Sequence, residues 1–142
     1  MAKKPAWLYT QSAAIVWRRA ADELEVLLVT SVRRGRWIVP KGVVERQMTP
    51  AESARKEAWE EAGVDGKISS RVIGVYQYEK WGGLCSVAVY LMELTSEEDD
   101  WPERKVRRRR WMSFKKAMKA IENPDLSEIL GRAFEMLQRK EA

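Results

Sequence analysis

The sequence predicts an α/β sandwich, a mixed β-sheet held between helices. Strand-like apolar runs lie on both sides of one well-framed helix, which separates the two halves of the sheet. Further helix-start signals follow the last strand, so helices are available for a second face. With 142 residues and 45% hydrophobic content, the chain has the size and apolar material of one domain, read as residues 1–142.

The elements follow in order. Residues 12–17 and 25–31 read as strands, with residues 20–24 turning between them. Val26-Leu27-Leu28-Val29 is a continuous apolar run, as expected of a strand covered on both faces. Arg33-Arg34-Gly35-Arg36 is a basic loop, and residues 37–40 form a short strand. Thr49 followed by Pro50 starts a helix: a hydroxyl N-cap, then a proline where the missing N–H costs nothing. Glu52, three residues after Thr49, completes a capping box, and Gly63 supplies the stop. The helix is therefore expected over residues 50–62. Residues 67–79 and 84–94 read as a hairpin turned at Gly82-Gly83. Residues 95–104 are a polar loop and 106–112 a last strand. Ser113 and Asp125 are expected to N-cap helices reaching about residues 122 and 139.

The most informative segment is the end of the first helix, Lys56-Glu57-Ala58-Trp59-Glu60-Glu61-Ala62-Gly63. Its three carboxylates stand at i, i+3 and i+4, on one stripe of a helix within an arc of roughly 100°. Like charges so placed repel by a few tenths of a kcal/mol per pair, and they sit at the unfavourable end of the helix dipole. A solvated acidic face bears that cost without return. A hard divalent cation reverses its sign, because Mg²⁺ takes oxygen ligands.

Composition removes other chemistries. The chain has no histidine and one cysteine. Histidine-ligated zinc, histidine general bases, Ser-His-Asp triads and an internal disulfide are excluded. Cys85, in an apolar stretch, reads as core. No apolar run reaches the roughly 20 residues that span a bilayer. The N-terminal stretch, Met1 to Trp7, is basic without a following apolar segment, so no secretory leader is expected there and a cytoplasmic setting is.

From Gly42 the spacing is five residues, Met48, seven residues, and then Lys56-Glu57-Ala58-Trp59-Glu60-Glu61-Ala62-Gly63-Val64. This stretch, residues 42–64, resembles the Nudix box: Gly, five residues, Glu, seven residues, Arg-Glu-apolar-x-Glu-Glu-x-Gly-apolar. Gly42, Glu57, Ala58, Glu60, Glu61, Gly63 and Val64 match, and Trp37-x-x-Pro40-Lys41-Gly42 is similar to the lead-in of many members. Arg110-Trp111 before a helix looks like the corresponding segment of diphosphoinositol polyphosphate and diadenosine polyphosphate hydrolases in that family. The resemblance implies the same sandwich, a Mg²⁺ (or Mn²⁺) site on Glu57, Glu60, Glu61 and the Gly42 carbonyl, and hydrolysis of a diphosphate linkage. Glu61 is the first choice for the general base, with Glu60 beside it. Glu79, Glu93 and Glu103 are candidates outside the box.

Two positions depart from the pattern. Met48 replaces the family's first glutamate and Lys56 its arginine, the pair that supports the metal-binding acids. Lys56 keeps charge but loses the bidentate fork. The direct ligands remain, so a weakened or re-supported site is expected, with Arg55 a possible but poorly directed substitute.

The net charge is +5, and its placement is uneven. Lys41, Arg33, Arg36, Arg108 and Arg110 are expected to hold substrate phosphates as a basic rim. Solvated surface with a charged edge strand and RNA or DNA binding are the competing readings of the same residues. In a strand, Arg108 and Arg110 share one face and Arg107 and Arg109 the other. Of the seven tryptophans, Trp59 is expected in the core, with Trp37 and Trp111 under the sheet. Trp81 either clamps the hairpin or stacks on a base.

The sequence thus points to a pyrophosphohydrolase acting on nucleoside diphosphate derivatives, dinucleoside polyphosphates or diphosphoinositol polyphosphates. It is expected to work without a membrane, as monomer or homodimer. An RNA 5′-end pyrophosphohydrolase and a catalytically decayed binding or regulatory protein of the same fold are the alternatives.

Overall fold

The computed structural model describes residues 4–141; Met1, Ala2 and Lys3 of the basic N-terminal stretch lie outside them. A single 3-10 turn, Ala6–Tyr9, leads into β1 (Thr10–Ala20), β2 (Glu23–Thr30), β3 (Trp37–Ile38) and β4 (Lys41–Val43). Then come α1 (Pro50–Ala62), β5 (Val64–Lys80), β6 (Gly83–Glu97), β7 (Arg109–Ser113), α2 (Phe114–Ala120) and α3 (Pro124–Glu141).

The strands form one sheet in the order β3-β2-β1-β6-β5, with β4 attached to β1 and β7 to β2. β1 and β6 run parallel, and the other pairs are antiparallel, so the sheet is mixed as expected. Side chains along β1 alternate between two cores. Ala13 and Ile15 pack with Phe114, Leu126, Leu130 and Ala133 of α2 and α3. Ala14 and Val16 pack with Ala51, Ala54, Ala58 and Ala62 of α1. Helices therefore cover both faces, as the sandwich requires.

β1 divides its pairing. Gln11 to Ala13 pair with β4, while Trp17 to Ala20 pair with β2. The short β4 strand thereby carries Lys41 and Gly42 beneath the C-terminal half of α1.

α1 has the predicted bounds, and its caps form as read. The Thr49 hydroxyl accepts from the Glu52 N–H (3.1 Å), and the Glu52 carboxylate accepts from the Thr49 N–H (2.9 Å). Gly63 closes the helix at φ 68°, a left-handed conformation glycine adopts without a Cβ clash. The sheet-facing stripe of α1 is alanine, which lets the helix lie close to the strands.

Several expectations are corrected. Trp59 is not core: it lies off the alanine stripe and is 38% exposed. Trp37 and Trp111 are half-buried at the margins of the two cores. The hairpin turns at Trp81-Gly82, both at positive φ, because Gly83 already pairs with Lys80. β6 runs on to Glu97, and β7 starts only at Arg109. Arg107 and Arg108 precede β7, held by Thr30: the Arg107 guanidinium donates to its carbonyl, and the Arg108 N–H to its hydroxyl. The α3 cap is Asn123, whose side-chain oxygen accepts from the N–H groups of Asp125 and Leu126.

Candidate active site

Glu57 and Glu61 are one helical turn apart on the face of α1 that looks down on β4. They line a cavity of about 780 Å³ together with Gln11, Lys41, Gly42, Tyr78 and Arg107. Glu61 is 4% exposed. One of its oxygens accepts from the Lys41 backbone N–H at 3.2 Å, and the other lies 3.3 Å from an Arg107 nitrogen. Arg107 is itself held by Glu103 at 2.8 Å and by the Thr30 carbonyl at 3.0 Å. Burial pushes the Glu61 carboxyl up to about 8, against the pull of Arg107.

Glu57 is half-buried, and among the described residues no group donates a hydrogen bond to its carboxylate. Burial first, and the Glu60 charge second, push it up to about 7. Its carboxylate lies over Gly42, in the space a Cβ on that residue would fill. Two desolvated acids beside a bare backbone form a hard-oxygen donor set with room for an ion, and such a set suits Mg²⁺ or Mn²⁺.

Glu60 does not line the cavity, and its carboxylate is ion-paired with Lys56. The Lys56 ammonium also reaches Glu45 at 3.0 Å. Among the described residues no three acids are gathered around one point. Arg55 does not supply the missing support, since its guanidinium is committed to Asp65 at 2.6 and 2.9 Å.

The C-terminal end of α1 is secured from outside the helix. Arg109 donates to the Ala62 carbonyl at 2.7 Å, and the Trp101 indole donates to the Glu61 carbonyl at 3.0 Å. Arg109 lies over the Trp101 ring at 4.0 Å. A cation at a helix C-terminus offsets the dipole, so the acids there have a permanent counterweight in β7.

Of the expected phosphate-binding residues, only Lys41 lines the cavity. Its ammonium lies 4.6 Å from the centre of the Tyr78 ring. Arg108 and Arg110 instead stack over Trp37 at 5.8 and 5.5 Å, on the sheet face that carries α2 and α3. Arg36 pairs with Glu122 at 2.8 Å, and Arg33 is exposed in the loop before β3. Sequence reasoning misses two arginines that line the cavity, Arg46 and Arg107. Glu103 stands nearby as the partner of Arg107, whereas Glu79 and Glu93 are exposed on the hairpin, away from the cavity.

Comparison with known proteins shows what the chain as a whole is similar to. Residues 8–132 match the family model described as NUDIX domain. Nudix hydrolase 12, mitochondrial, of Arabidopsis thaliana is 40% identical over 106 residues, covering 68% of this chain and 52% of that protein. Diphosphoinositol polyphosphate phosphohydrolase 2 of Rattus norvegicus is 35% identical over 129 residues, covering 87% of this chain and 70% of its own length. A C. elegans Ap4A hydrolase binary complex superposes with a TM-score of 0.80 at 22% identity, covering 91% of this chain and 97% of that one. The chain spans about half the length of the first plant relatives it matches. Among the described residues no helix is long and apolar enough to cross a membrane.

Proposed function

Because the chain belongs to the Nudix family, we propose that it is a metal-dependent hydrolase of diphosphate linkages in small phosphorylated molecules. One observation carries the reading: Glu57 and Glu61 share a single cavity with Gly42, Lys41 and Arg107, acids and cations gathered over a backbone without a side chain. Substrates in keeping with the relatives' names are diphosphoinositol polyphosphates and dinucleoside polyphosphates.

The roles divide by charge. Glu57, Glu61 and the Gly42 carbonyl would hold the Mg²⁺ or Mn²⁺, and Glu60 would join them on leaving Lys56. When bound, such an ion neutralises phosphate charge and acidifies a coordinated water. Lys41 and Arg107 hold the phosphates and stabilise charge on the leaving group. A Glu61 oxygen that the ion leaves free would take the proton of the attacking water. Lys41 N–H and Arg107 fix its two oxygens, so the acceptor is oriented before substrate arrives.

The test is phosphate release from a panel of diphosphate compounds, with and without Mg²⁺. Metal-dependent turnover of at least one compound is expected, with Glu61→Gln losing about 10²–10⁴-fold in kcat. No turnover of any compound, with the metal bound, would assign the chain to a binding role instead.

A further inference from the structure

The last turn of α1 does not cap itself. A helix that stops on a left-handed glycine satisfies few of its final carbonyls from within. Here the Gly63 N–H reaches only the Trp59 carbonyl, at 2.9 Å. The carbonyls that follow, on Glu60, Glu61, Ala62 and Gly63, are all satisfied by one segment, residues 98–109. The Glu103 N–H donates to the Glu60 carbonyl at 3.0 Å, and the Glu98 N–H to the Gly63 carbonyl at 2.9 Å. The Trp101 indole donates to the Glu61 carbonyl and the Arg109 guanidinium to the Ala62 carbonyl. The same segment grips Glu61 at its other end, where Arg107 meets the carboxylate at 3.3 Å. Residues 101–107 are folded on themselves: the Arg104 N–H donates to the Trp101 carbonyl at 3.2 Å, and the Arg107 N–H to the Glu103 carbonyl at 3.1 Å. The two grips on Glu61 therefore belong to one small folded unit. The Trp101 ring is fixed as well. It lies against Arg109, and a Cβ on Gly63 would fall 2.9 Å from the Trp101 Cβ.

Resting on the ion site of the function proposed above, we propose that Trp101 is a positioning residue for that site. Its indole N–H, acting through the Glu61 carbonyl, holds the final turn of α1 so that the Glu57 and Glu61 carboxylates face the same ion. A bond present with and without the ion contributes stability. It contributes affinity too when, without it, the turn spends part of its time with the carboxylates misplaced. Apparent affinity falls with the fraction of molecules that are competent to bind. Bonds from outside the helix hold this turn, so that fraction depends on residue 101.

Trp101→Phe removes the N–H and keeps a ring against Arg109 and Gly63. Ser127→Ala is its matched control. The Ser127 hydroxyl donates to the Met118 carbonyl, in the last turn of α2, at 2.7 Å. That is the same kind of bond on the sheet face away from the acids. Mg²⁺ is titrated into each full chain by calorimetry below its melting temperature, and melts with increasing Mg²⁺ give a second reading for a weakened variant. Both variants are expected to melt below wild type. Only Trp101→Phe is expected to bind Mg²⁺ more weakly, by about 3- to 10-fold. Wild-type affinity in Trp101→Phe, an equal loss in Ser127→Ala, or no Mg²⁺ uptake by the wild-type chain overturns the proposal. The expected losses in a chain that hydrolyses no compound would uphold the positioning role and remove only the proposed activity.

Discussion

The Glu57 carboxylate occupies the place a side chain on Gly42 would take: an ideal Cβ there falls closer than 3.0 Å to the carboxyl carbon and both oxygens. The clash is with the far end of a flexible side chain, so Gly42→Ala is expected to fold normally. Its cost falls on the ion site, because Glu57 must swing away from the position it shares with Glu61. Calorimetric titration with Mg²⁺ or Mn²⁺ should show affinity lowered by about 10–100-fold, the scale of a disturbed ligand orientation. Unchanged affinity would place the ion elsewhere.

The two buried acids also make a pH prediction. Glu57 is pushed up to about 7 and Glu61 to about 8, both from an ordinary value of 4.5. An acid whose folded value lies above its unfolded value binds its proton more tightly in the native state. Stability from these groups is therefore full below about pH 4.5 and is lost as pH rises through 7 and 8. Glu57→Gln removes one such group without breaking a hydrogen bond. The variant should gain melting temperature over wild type without metal, by more at pH 8 than at pH 5.5. Added Mg²⁺ should stabilise wild type more at pH 8, where ion and proton no longer compete. A difference between variant and wild type that does not change with pH would contradict the burial argument.

The arginines separate by sheet face. Arg107 holds Glu61 inside the cavity, while Arg108 and Arg110 stack on Trp37 across the sheet. Arg107→Met removes the partner of Glu61, Glu103 and the Thr30 carbonyl, and leaving such groups unpaired costs about 1–3 kcal/mol. Steady-state assays and thermal melts should show both kcat/KM and stability falling. Arg108→Ala and Arg110→Ala should leave kcat/KM within about threefold, since exposed charges contribute little. A large catalytic loss in either would return them to the substrate path.

What the sequence makes legible here is local. Thr49, Pro50, Glu52 and Gly63 each act within a turn of the backbone, so α1 has the bounds they predict. The spacing of Glu57 and Glu61 fixes a shared face without knowledge of the sheet. Arg107 is hidden because seven residues, Arg104 to Arg110, include six cations and any alternation fits them. Which one is buried depends on where β7 begins, and Thr30, some eighty positions earlier in the chain, decides that by its hydrogen bonds to Arg107 and Arg108. Trp59 misleads because size suggests burial, whereas the close approach of α1 to the sheet selects alanine. The turn at Trp81-Gly82 is displaced by one residue because Gly83 is consumed by strand pairing.

Lys56 tests how the acids are supported when residue 48 is methionine. Its ammonium joins Glu60 to Glu45, so a carboxylate three residues before Met48 partners it. Glu45 is anchored in turn, its N–H donating to the Ser53 hydroxyl at 3.0 Å. The arrangement holds the Glu60 carboxylate on Lys56, and an ion at Glu57 and Glu61 would have to compete for it. Lys56→Met should therefore free Glu60 and add its negative charge to the site. Metal-free stability should fall while affinity for Mg²⁺ holds or rises, both readable in one set of melts with increasing Mg²⁺. Met48→Glu with Lys56→Arg supplies a new partner for residue 56 and should likewise maintain or raise affinity. A sharp loss of Mg²⁺ binding in both variants would mean that the Lys56 ion pairs hold the ligands in their productive positions.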